Sequence, residues 1–133
     1  GYIGAELCGT AMSGQTFLMN LDQRHAMTNL VERIHEFGGK VFLQLNHAGR
    51  KTSPEFNNGA QPVSASAITP DLENRGFAPV HELTKEEILR LEDAIATAAE
   101  HAYMAKADGL EPHSLVISSH IYILSLIYYF IIW

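Results

Sequence analysis

Gln44, Asn46, His47 and Arg50 bring two amides, an imidazole and a guanidinium into one short stretch, enough to hydrogen-bond a polar ligand from several directions. They close the run Val41-Phe42-Leu43-Gln44-Leu45-Asn46-His47-Ala48-Gly49-Arg50, which begins as the apolar run of a buried strand and turns polar before a glycine. Parallel α/β sheets hold ligands at the carboxyl ends of their strands. In that setting the four polar side chains would face a site while Val41, Phe42 and Leu43 anchor them. An ordinary loop entry has the same pattern, and the stretch alone names no reaction. The seven histidines and one cysteine show neither His-Glu-x-x-His nor paired-cysteine spacing, so no metal ligands are assigned.

The neighbouring segments supply elements that could position such a strand. Residues 1–10 read as a short strand that passes Glu6 and enters a loop at Gly9 to Gly14. Met27, Leu30, Val31, Ile34 and Phe37 then fall at spacings of three and four, predicting a helix that Asp22 caps and Gly38-Gly39 ends. After the central strand, residues 51–82 hold most of the Pro, Asn and Ser and read as a long irregular excursion. Thr84 and Glu87 form a capping box, with Leu83 placed to staple onto Ile88. Ile88, Leu91, Ile95, Ala98, Ala99 and Ala102 line one face of the helix that follows, and the small alanines allow close approach to a sheet. Asp108-Gly109 breaks that helix before a strand at Leu110-Glu111. The order of strand, helix, strand, loop, helix and strand is that of a parallel α/β unit.

At 133 residues the chain can bury one core. A net charge of -6 with nine Lys and Arg argues against a nucleic-acid partner. Cys8 has no internal disulfide partner, which fits a reducing, cytoplasmic setting.

Taken together, these segments resemble the old yellow enzyme family of NADH:flavin oxidoreductases. Family members carry a Gly-Leu-Ile strand leading to Glu, a Gln-Leu-x-His-x-Gly-Arg strand end, a Ser-Ala loop segment and a helix ending in Ala-Gly-x-Asp-Gly-Val-Glu-Ile-His. Here these read Gly1-Tyr2-Ile3 to Glu6, Gln44 to Arg50, Ser64-Ala65-Ser66-Ala67-Ile68 and Lys106-Ala107-Asp108-Gly109-Leu110-Glu111-Pro112-His113. The resemblance implies an α/β fold, part of a (β/α)8 TIM barrel covering about strands two to four. It implies FMN as cofactor, NADH or NADPH as reductant, and an activated alkene such as an enone or enoate as the small-molecule substrate. Gln44 matches the glutamine that binds the flavin pyrimidine edge, and Leu7 stands where the family often has an alanine close to the flavin. His113 matches a histidine that binds the substrate carbonyl oxygen, whereas His47 and Arg50 are expected to brace the strand end.

Departures from the family pattern define the remaining expectations. A complete barrel needs roughly 250 residues, so the chain reads as a truncated reductase, inactive alone, with open strand edges that another chain or a second copy would cover. Pro112 replaces an apolar residue in what should be a central strand, where it removes a ladder donor. Three residues past His113 stands Val116, which cannot donate a hydrogen bond. A shifted register through His120 instead makes Tyr122 a candidate proton donor. These features divide the chain into a partial flavin oxidoreductase barrel over 1–114 and an apolar tail over 115–133. The tail is long enough to attach a non-catalytic fragment to a membrane, and it equally fits read-through of unrelated sequence.

Overall fold

The computed structural model describes residues 2–66 and 79–114. In chain order its strands are β1 (Tyr2–Gly4), β2 (Thr16–Phe17), β3 (Phe42–His47), β4 (Val63–Ser64), β5 (His81–Glu82) and β6 (Gly109–Ser114). Two helices accompany them: α1 (Leu21–Glu36) leads into β3, and α2 (Lys85–Met104) leads into β6. The main sheet runs β2-β1-β3-β6 with every pairing parallel, and β4 pairs with β5 separately. From β1 the chain crosses through α1 to the adjacent β3, then through α2 to the adjacent β6. Growth in one direction is the order of a barrel wall, whereas a doubly wound sheet reverses at a switch point.

Alternation along the strands sorts side chains between two faces. Ile3, Val41, Leu43, Leu45 and Leu110 join Met27 and Val31 of α1 and Leu91, Ile95, Ala98 and Ala102 of α2 in one core. Of the alanines expected to let α2 approach the sheet, Ala98 and Ala102 are among its most deeply buried residues, and Ala99 is partly buried beside them. The opposite, inner face carries Tyr2, Phe42, Gln44, Asn46, Glu111 and His113. Phe42 was expected to anchor the strand, but it is 74 % exposed because the described chain lays nothing over that end of the face, whereas Asn46 farther along it is buried.

Local chemistry sets the helix ends. Asn20, rather than the expected Asp22, caps α1 by accepting from the Gln23 backbone N–H at 3.0 Å, and Asp22 lies in the first turn. Met27 and Val31 are buried, with Ile34 packed beside them, while Leu30 and Phe37 lie off that stripe and are exposed. Gly38, at φ +73°, turns the chain out of α1, and Gly39 N–H donates back to the Ile34 carbonyl at 3.1 Å. The Thr84 and Glu87 capping box forms as expected. Helix α2 ends earlier than expected, at Met104, and Lys106 at φ 62° makes the exit.

Asp108 is therefore free for another task at the amino ends of β3 and β6. Its carboxylate accepts from Lys40 Nζ and Val41 N–H at 2.8 Å and from His35 Nε2 at 2.6 Å, while its own N–H donates to the Val41 carbonyl. The Lys40 contact first, then the Val41 and His35 donors, hold this carboxyl well below the usual aspartate range. Beyond it, β6 keeps register with β3 from Gly109 to Ser114, straight through Pro112 opposite Leu45. The donor that Pro112 lacks is tolerated there, for β6 has a strand on one side only among the described residues. The Ser64 segment is described as far as Ser66. Ala67, Ile68, Val116, His120, Tyr122 and the whole 115–133 run lie outside the described residues.

Candidate flavin site at the strand ends

Register places the candidate residues on one face. Tyr2, Gln44 and Glu111 are level across β1, β3 and β6, and the next inner-face level holds Gly4, Asn46 and His113. Gln44 and His113 therefore sit on neighbouring strands, one level apart, both half-buried and both on the inner face. The rings of Tyr2 and His113 stack across β3 with centroids 5.5 Å apart and planes 11° apart. Leu7 lies in the short helical turn Leu7–Gly9 just past β1 and is exposed. The structure thus gathers Gln44, His113 and Leu7 around one end of the sheet, and Tyr122 is not described.

His47 does not face the site with Gln44 in the way the polar run alone suggested; its position is that of a brace at the strand end, the role the resemblance implied. It continues the Leu43 and Leu45 side of β3 and is 1 % exposed, behind the strand ends. There it meets a cluster the sequence did not reveal. Glu6 Oε1 lies 3.3 Å from His47 Nε2 and accepts from the Cys8 thiol, while Oε2 accepts from the Arg90 guanidinium of α2. Gly49 N–H donates to His47 Nδ1 at 3.1 Å, so in the neutral ring Nε2 carries the proton and donates to Glu6. A Cβ on Gly9 would stand 2.3 Å from the His47 ring, so only glycine lets the turn close against it. Glu6 and His47 were visible as polar residues at two strand exits. The contribution of Arg90 depends on how α2 docks, and no local spacing announces it.

Burial alone would raise the Glu6 pKa, but hydrogen bonds from His47, Cys8 and Arg90 outweigh it and hold the carboxyl at about 2. Cys8 moves the other way: burial first, and then its bond to the Glu6 carboxylate, push the thiol up to about 12. Glu6, Cys8 and His47 bring three ligand atoms within 4.8 Å of one another. The Gly49 contact nevertheless occupies the lone pair of Nδ1 and leaves the proton on Nε2, where a metal would need a free lone pair, and Arg90 already compensates Glu6. The chemistry of the cluster is that of a hydrogen-bonded ion pair.

On the inner face, Gln44 offers a donor and an acceptor side by side, which matches the alternating acceptor and donor groups of a flavin pyrimidine edge. Among the described residues, the strand positions of this face hold no lysine or arginine. The donor set suits the ring edge.

A singly wound parallel sheet with helices on its outer face and polar side chains at its carboxyl ends is part of the wall of a (β/α)8 barrel. The chain belongs to the NADH:flavin oxidoreductase / NADH oxidase family, whose model matches residues 1–126, and FMN is the flavin of that family. It is similar to the NADH:acrylate oxidoreductase of Vibrio harveyi, 40 % identical over 87 residues, which are 65 % of this chain and 8 % of that protein. It is also similar to the NADPH dehydrogenase of Clostridium acetobutylicum, 32 % identical over 118 residues, 85 % of this chain and 33 % of that one. Among solved structures, an old yellow enzyme homologue from Zymomonas mobilis superposes with a TM-score of 0.72 at 29 % identity over 84 % of this chain and 33 % of the other. The chain thus spans a third or less of the length of these relatives.

Proposed function

We propose that this chain forms the flavin-edge side of an FMN-dependent NAD(P)H oxidoreductase that reduces activated alkenes. The supporting observation is the placement of Gln44 and His113 on neighbouring parallel strands, facing the same way at the carboxyl ends of the sheet. Gln44 would hold the pyrimidine edge of FMN, with Leu7 packing near the ring from the β1 turn. His113 would donate a hydrogen bond to the carbonyl oxygen of an enone or enoate, where negative charge develops during reduction. FMN, when bound, supplies the hydride chemistry between nicotinamide and alkene.

In this reading the reductase part takes in residues 1–126, the stretch the family model matches, and so reaches past the boundary at 114 into the apolar run. Turnover would then require the remainder of a barrel, and the isolated chain would be inactive. The similarity to an NADH:acrylate oxidoreductase and to an NADPH dehydrogenase supports both the alkene class and the reductant. Titrating FMN with the purified chain and following flavin fluorescence tests the reading. Saturable binding that Gln44→Ala weakens at least tenfold would support it, and a folded chain that leaves FMN free would overturn it.

A further inference from the structure

Glu6, His47 and Arg90 stand behind the strand ends, on the side away from the face that would receive a flavin. Their connections nevertheless reach both candidate flavin contacts. Glu6 is the residue immediately before Leu7, and His47 closes the strand that carries Gln44. Three elements converge on the one carboxylate: the turn after β1 through Cys8, the end of β3 through His47, and α2 through Arg90. Glu6 is 12 % exposed and its partner His47 1 %, so the junction is largely shielded from water, where such bonds are stronger than at the surface. Two further contacts fasten the same turn to the chain after β3. Ala48 N–H donates to the Gly9 carbonyl at 3.0 Å, and the Thr52 hydroxyl donates to the Thr10 carbonyl.

We infer that Glu6 is a positioning residue for the flavin site: by accepting from His47 and Arg90 together, it fixes the Leu7 turn relative to the Gln44 strand. The inference rests on the flavin reading of Gln44 and Leu7 and adds a residue that touches neither flavin nor substrate. A carboxylate suits the place because it accepts from all sides. The amide introduced by Glu6→Gln has the same shape but turns an N–H2 group toward donors, so at least one of the three contacts must be lost.

The test uses the whole chain with Glu6→Gln, with Arg90→Gln as a milder variant whose parent side chain is 58 % exposed, and with Asp108→Asn as a destabilised control at the opposite end of the sheet. Without flavin, NMR signals of the Leu7 methyls and the Gln44 side-chain amide are expected to shift in both Glu6→Gln and Arg90→Gln and to stay in place in Asp108→Asn. With FMN, Kd is expected to rise about tenfold in Glu6→Gln at unchanged binding stoichiometry. A role confined to folding would do the reverse, lowering the stoichiometry at constant Kd, and that result would overturn the inference. So would unmoved Leu7 and Gln44 signals in a folded Glu6→Gln chain or, where that variant fails to fold, in Arg90→Gln. Signal shifts in a chain that binds no FMN would uphold the coupling of turn to strand and count against the flavin reading instead.

Discussion

Glu6 carries three donors although it sits in a partly desolvated place that would otherwise favour its neutral form. Its folded pKa of about 2 lies below the ordinary 4.5, so its stabilisation is complete above pH 4.5 and disappears as the pH falls toward 2. At neutral pH Glu6→Gln should cost on the order of 1.5–3 kcal/mol, the range for hydrogen bonds to a charged group. Between pH 4.5 and 2 the stability of the native chain should converge on that of the variant. Denaturant unfolding at a series of pH values measures this, and curves that stay parallel through that window would contradict it. Cys8 gives a second observable in the same cluster. With its thiol pushed up to about 12, alkylation by iodoacetamide at pH 8 should run orders of magnitude slower than that of an unhindered free thiol. A rate equal to that of a small-molecule thiol would contradict it. At this scale the sequence was only partly legible. Gln44 and His113 could be read because strand ends and family motifs mark them. Arg90 could not, because its role arises from a contact 84 residues away in the chain.

Among the elements, α2 was the most legible, since a capping box and a face of alanines are local signals that tertiary packing reinforces. Thr84→Ala should cost about 1 kcal/mol, measured by denaturant unfolding. No change would mean that another acceptor or water takes the place of the Thr84 hydroxyl. The start of α1 was misread because Asn20 and Asp22 are both competent caps. The choice falls on Asn20, where Gln23 completes the exchange: its N–H donates to Asn20 Oδ1, and its own Oε1 accepts from Met19 N–H at 2.6 Å. The two-residue strands β2, β4 and β5 are too short to carry any periodicity. Asp108 was read as a helix breaker, whereas it ties α1, β3 and β6 together. Asp108→Asn should lower Tm and speed hydrogen exchange at the Val41 amide, and unchanged exchange there would show that the latch is dispensable.

For the whole molecule, the family assignment was legible because its motifs occur in the right order, and their described residues fall on the strands, turns and helix of the barrel wall. The orientation of Phe42 was not legible. A continuous apolar run resembles a strand buried on both faces, but the described chain leaves Phe42 uncovered and the inner face beyond it partly open, with Gln44 and His113 half-buried and Asn46 buried. That openness makes the flavin claim directly accessible to observation. The most direct measurement is the Gln44 side-chain amide resonance during addition of lumiflavin, which has the flavin ring without the phosphate, in parallel with FMN. Both ligands should move that resonance saturably and with closely similar affinity, because the residues on the inner face are suited to the ring edge. A well-dispersed spectrum in which the Gln44 amide stays fixed while either ligand is added to saturating concentration would contradict the assignment of this face as a flavin site.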